Sequence, residues 1–185
     1  SQRELFGIKQ GDGQHGPQVV GDGQGREKDL EPQGDAAAEQ GQHGQALVKV
    51  DNYLAGKPKD AQARFLKGLI FTEQGKTTDA VKMFSALTED YPELPEPYNN
   101  LAVLYAGQGQ YDKAKLALEM AIRTHPSYAT AHENLGDIYA KMASQAYDRA
   151  LQLDRSNTST QTKLAMIQDL FGDGARDTAS PARNT

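Results

Sequence analysis

From residue 46 onward, apolar side chains return at steps of three and four. Tyr98, Leu101, Ala102, Leu104 and Tyr105 form one such stripe, and Ala114, Leu118, Ala121 and Ile122 form the next. That spacing lays one face of an α-helix against a core, so it predicts two amphipathic helices with the Gly107-Gln-Gly109-Gln110 turn between them. The arrangement recurs. Pro58, Pro92 and Pro126 stand 34 residues apart, as do Ala46, Ala80 and Ala114 and also Gly41, Gly75 and Gly109, while Leu101 and Tyr105 return as Leu135 and Tyr139. A fixed interval of this kind marks stacked units that share one continuous core. Within each unit a glycine opens the turn between two helices, and a proline falls where the chain must leave the second one. Small residues at Gly68 or Ala102 on the first helix, and at Ala80 or Ala114 on the second, let two backbones approach closely. Phe84, Leu118, Phe71 and Tyr105 then fill the space between units.

The third unit breaks the pattern. Leu135, Gly136 and Tyr139 begin it in register, but Tyr147, Ala150 and Leu151 fall about five residues too early for a second helix at the repeat interval. Leu135, Tyr139, Met142, Ala146, Ala150 and Leu153 form a single stripe, and neither Gly nor Pro interrupts 137 to 155. The expectation is one continuous helix over about 130–154, in place of a hairpin with a tight turn near Ala143-Ser144. Asn157 to Thr160 offers helix N-cap residues before Leu164, Ile167 and Leu170, a last helix placed to close the stack. At the other end, residues 45–55 with Pro58 read as the second half of a further unit. The partner helix expected near 27–40 is missing or degenerate.

Composition changes the picture mainly outside the core. Residues 1–45 hold ten of the eighteen glycines and nine glutamines, with GDGQ at Gly11 to Gln14 and again at Gly21 to Gln24. With so little apolar surface the segment cannot offset its ordering entropy, so it is expected to be a flexible, disordered tail, and 172–185 repeats that composition. The resulting division is a tail over 1–45, a helical domain over 46–171 and a second tail over 172–185. Inside the domain lie a half unit (46–60), full units (61–94 and 95–128), a turn-deleted unit (129–155) and a capping helix (158–171).

The chain carries a formal net charge of −5, which disfavours polyanion binding, so nucleic acid is not an expected partner. The longest run free of polar side chains, Leu101 to Ala106, is far short of the roughly 20 residues of a spanning helix, so no membrane span is expected. There is no cysteine, which removes thiol nucleophiles, thiolate metal sites and disulfides. His125 and His132 stand seven apart with Pro126 between them, without the three- or four-residue spacing that puts two metal ligands on one helical face. The GDGQ copies lack the acidic spacing of a calcium loop and the Lys-Ser/Thr of a phosphate loop. No serine or threonine has a recognisable histidine partner. The expectation is therefore a non-catalytic chain with no cofactor and no metal.

The period resembles the tetratricopeptide repeat, whose motif places Trp, Leu, Gly, Tyr, then Ala, Phe, Ala and Pro along the unit. Residues 61–94 supply Gly68, Phe71, Ala80, Phe84 and Pro92, with Arg64 and Lys67 where the motif prefers Trp and Leu. Residues 95–128 supply Tyr98, Leu101, Ala102, Tyr105, Ala114, Leu118, Ala121 and Pro126. The resemblance implies an all-α fold, an α-α superhelix whose first helices line a concave face that binds protein. By family position that face would present Phe65, Leu69 and Thr72, then Glu96, Asn99, Asn100 and Val103, then Glu133, Asn134 and Asp137. Asn100 and Asn134, at one place in consecutive units, would form a carboxamide ladder able to grip an extended peptide backbone, or would bond to adjacent helices instead. Phe65, Leu69 and Val103 would take an apolar side chain, and Glu96, Glu133 and Asp137 would favour Lys or Arg on the ligand. The clamp that holds chaperone C-terminal carboxylates uses Lys and Arg here, so it is not expected. The implied role is a scaffold or assembly factor holding a protein or peptide partner. A second reading is a homo-oligomer joined through an exposed face of Leu47, Val50 and Leu54. A third is the accessory subunit of an enzyme. The stretch Tyr91 to Ala102 is similar to bacterial cell-envelope repeat proteins, which implies a periplasmic setting.

Overall fold

A computed structural model describes residues 32–172, with side chains described from residue 40 onward. Of the tails expected over 1–45 and 172–185, residues 1–31 and 173–185 lie outside the described residues. Among these residues every regular element is a helix: α1 (Pro32–Gly56), α2 (Ala61–Glu73), α3 (Thr77–Asp90), α4 (Pro95–Gly107), α5 (Tyr111–Thr124), α6 (Ala129–Leu153) and α7 (Thr158–Leu170). Each packs chiefly on its neighbours in sequence, as in a solenoid.

Local chemistry sets the ends of the helices. Asp60 caps α2 by accepting the Ala63 amide at 2.8 Å, and that bond holds its carboxyl below the ordinary carboxylate range. Asn157 does the same for α7, accepting the Thr160 amide at 3.0 Å. Between α2 and α3, Gly75 takes φ +71°, and the Lys76 amide reaches back to the Phe71 carbonyl at 2.9 Å. Gly109, at φ +72°, repeats this turn between α4 and α5, with Gln110 bonding to Tyr105 at 2.9 Å. A left-handed residue followed by such a back-bond ends a helix without orphaning its last carbonyls. One repeat interval later the position is held by Ala143, for which the left-handed region costs roughly 1–2 kcal/mol. The chain does not turn there, and α6 runs unbroken for 25 residues, over the stretch where the apolar stripe predicts a single helix.

The core joins α3, α4 and α5 with the start of α6. Ala80, Phe84, Leu87, Ala102, Ala114, Leu118, Ala121, Ala131 and Ile138 are all fully buried. The expected alternation of small and large residues is realised at Gly68, where an added Cβ would stand 2.7 Å from the Phe84 ring. The departures from the repeat pattern on α2 carry ion pairs instead of apolar packing. Arg64 pairs with Asp90 on α3 at 2.6 Å, and Lys67 pairs with Asp51 on α1 at 2.7 Å.

Two expectations at the N-terminal end need correction. The tail drawn to residue 45 is too long, because α1 begins at Pro32 and continues without a break into the half unit. Proline suits the first helical turn, and Ala36-Ala37-Ala38-Glu39-Gln40 are strong helix formers that carry the helix through Gly41 and Gly44. The face of Leu47, Val50 and Leu54 is not exposed either. α1 folds back on α2, burying Val50 with Ala63 and Ile70, with Ala46, Leu47 and Leu54 packed around them.

Candidate functional site

The first helices of the two full units and the long helix, α2, α4 and α6, carry every residue expected on the concave face. α4 and α6 touch directly through the side chains of Asn99 and Asn134. The Asn134 Nδ2 donates to Asn99 Oδ1 at 2.9 Å, and both residues are fully buried. Asn100 is buried as well, and its Nδ2 donates to the Glu96 carbonyl one turn earlier at 2.9 Å. Asn99 Nδ2 and Asn100 Oδ1 are left buried with no hydrogen-bond partner. The ladder expected from Asn100 and Asn134 therefore does not line an open surface. Asn134 points into the α4/α6 seam and bonds to Asn99, while Asn100 is buried and bonds back to its own helix.

The remaining expected residues are accessible. Phe65 and Leu69 on α2 and Val103 on α4 are half-buried, each packed on the core beneath, and Phe65 meets the Phe84 ring edge-on at 5.4 Å between centroids. Thr72 is half-buried and donates its hydroxyl to the Gly68 carbonyl at 2.9 Å. Glu96 and Asp137 are half-buried and Glu133 is exposed. The structure thus brings Asn99 and Asn134 together in the interior and leaves Phe65, Leu69, Val103, Glu96, Glu133 and Asp137 as the solvent-reaching set.

Among the described residues no group of three or more His, Cys, Asp or Glu side chains converges as a metal ligand set. Both core histidines are exposed. The His132 ring donates to the Pro126 carbonyl at 2.8 Å, and His125 Nε2 lies 3.2 Å from the Ser127 hydroxyl. Among the described residues no helix is long and apolar enough to cross a membrane.

One feature of the surface was not anticipated from sequence. A cleft of about 310 Å³ lies where the start of α5 meets the middle of α6, lined by Gly109, Tyr111, Asp112, Lys113, Met142 and Gln145 among others. Burial raises the Tyr111 hydroxyl above its ordinary pKa. The signal for the cleft was the missing turn after Met142, because α6 runs straight past the start of α5 instead of turning back over it.

Sequence models described as tetratricopeptide repeat match residues 32–95 and 71–138. The chain is 33% identical over 85 residues to the Arabidopsis thaliana tetratricopeptide repeat domain-containing protein PYG7, chloroplastic, which takes in 43% of this chain and 28% of that protein. It is 24% identical over 152 residues to human tetratricopeptide repeat protein 16, covering 73% of this chain and 17% of that one. It is 26% identical over 102 residues to photosystem I assembly protein Ycf3 of Prochlorococcus marinus, covering 54% of this chain and 59% of the relative. The chain thus spans less than two thirds of each of these relatives. Among solved structures, the MamA protein superposes with a TM-score of 0.51 at 21% identity, over 78% of this chain and 80% of that one.

Proposed function

Because this chain belongs to the tetratricopeptide-repeat family, whose repeats serve protein–protein interaction and assembly, we propose that it holds an extended segment of a partner protein on the shared side of α2, α4 and α6. The observation that carries this reading is the make-up of the solvent-reaching set: apolar Phe65, Leu69 and Val103 on α2 and α4, and acidic Glu96, Glu133 and Asp137 on α4 and α6. Half-buried apolar side chains fixed by the core beneath offer a preformed seat for one apolar ligand side chain. Carboxylates on the same and following helices would favour Lys or Arg on the same ligand and disfavour an acidic one. The buried Asn99 and Asn134 hold α4 against α6, and the buried Asn100 bonds within its own helix. Backbone recognition by a carboxamide ladder is not part of the proposal.

The test is a peptide array of extended segments probed with the full chain, followed by anisotropy titration of the best binders. Segments pairing an apolar residue with a nearby Lys or Arg are expected to be selected. Combining Glu96→Lys with Glu133→Lys should weaken them about tenfold at low salt, and raising the salt should weaken the unsubstituted chain in the same direction. Asp112→Lys, on α5, should change nothing. Selection of acidic peptides, or equal loss from the α5 variant, would place recognition elsewhere.

A further inference from the structure

The second helix of each full unit sits on one face of the first. In the first unit, Phe84 of α3 lies against Gly68 of α2 so closely that a methyl group would not fit. In the second, Ala102 of α4 and Leu118 of α5 are both fully buried. In the third unit the same position is Gly136, and among the described residues nothing lies within 4 Å of where its Cβ would stand. The rest of that face is open too. Ala129 and His132 are exposed, and Tyr139, which matches the half-buried Phe71 and Tyr105, is 51% exposed.

The segment that the repeat pattern assigns to this empty seat exists, on the wrong side of a missing turn. Tyr147, Ala150 and Leu151, the displaced second-helix residues, continue in line along α6 with Ala146 and Leu153, held there because Ala143 stands where the other units have a left-handed glycine. Ala146 is exposed and Leu153 is 78% exposed, while Tyr147, Ala150 and Leu151 are half-buried, so among the described residues this apolar run is covered only in part. Helix α7 packs along another flank, with Lys163 over the Tyr147 ring and Phe171 under Lys141, and leaves Gly136 open. The thirteen residues after Gly172 carry no apolar side chain larger than alanine or proline, a poor filler for a seat that takes Phe or Leu in the other units.

Among the described residues one helix therefore holds an unfilled seat in its N-terminal half and the sequence shaped for such a seat in its C-terminal half, with Ala143 between them. A two-fold axis near Ala143 makes that combination self-complementary: two antiparallel α6 helices fill both seats at once. Gly136, Ala140, Ala143, Ala146 and Ala150 would let the two backbones approach as Gly68 lets α2 and α3 do. We infer that the chain forms a two-fold dimer in which the C-terminal half of α6 from a second copy occupies the face of Ala129, His132, Gly136, Tyr139 and Ala143.

Sedimentation of the full chain over a wide concentration series tests this, together with Gly136→Arg, whose Cβ would meet nothing among the described residues of a single copy. A reversible dimer is expected, weakened by at least about tenfold in Gly136→Arg, with the melting temperature at high dilution unchanged. In a chain without other cysteines, Ala143→Cys should cross-link into dimers on mild oxidation, while Asp79→Cys on α3 should not. A chain that stays monomeric throughout would overturn the inference. So would a dimer indifferent to Gly136→Arg, or a Gly136→Arg variant that loses stability at dilution, which would show the face to be covered by the chain itself.

Discussion

Asn99 and Asn134 join side chain to side chain across α4 and α6 in the fully buried interior, at a distance of 2.9 Å. Removing one partner strands the other, whereas replacing both with apolar groups of similar shape removes the desolvation penalty along with the bond. Asn134→Ala is therefore expected to destabilise the fold by about 2 kcal/mol, while the Asn99→Leu, Asn134→Leu pair should cost much less than the sum of its single variants. Thermal and chemical unfolding of the four species checks this, and additive effects would count against a coupled pair. The location of these residues on first helices was legible from the repeat interval. Their inward direction was not, since neighbouring positions on a helix differ by about 100° and a single step separates a buried seam from an accessible face. Arg64 and Lys67 show the reverse case: read as departures from the motif, they form ion pairs with Asp90 and Asp51 that link α2 to both of its neighbours.

At the scale of the element, one glycine position has opposite meanings in two units. Gly68 is required by the Phe84 ring 2.7 Å from where its Cβ would stand, and Gly136 faces open space. Gly68→Ala gains up to about 1 kcal/mol of helix propensity but forces a buried ring to move, an overpacking that costs about 1–3 kcal/mol. A net loss is expected. Gly136→Ala meets no such contact, and at dilutions where single copies prevail it should stabilise by about 0.5–1 kcal/mol. Urea unfolding of both variants tests the contrast; equal effects would mean that the third unit is packed like the first. Glycine at the turn position permits the reversal without compelling it. Gly75 and Gly109 turn because a well-patterned apolar helix waits on each side, whereas α1 continues through Gly41 because Gln33 to Glu39 offers no large apolar side chain for folding back.

Over the whole molecule, stability is a chain of contacts between neighbours, densest where buried residues cluster on α4 and α5 and thinnest where the C-terminal half of α6 and helix α7 project past them. Hydrogen exchange should be slowest in 98–121 and markedly faster in 145–170 of the single copy, with protection of 129–153 rising as concentration increases. Uniform protection would contradict a stack of nearest-neighbour contacts. The sequence alone determined the helical repeat, its glycine turns, the fused helix over 129–153 and the cap at Asn157, because each depends on residues a few positions apart. Tertiary structure alone decided that the N-terminal apolar face is covered by α2, that the asparagines turn inward, and that Gly136 lies bare. Those outcomes depend on which helix arrives at a given face, and spacing along the chain fixes the face a residue occupies but not what comes to lie against it.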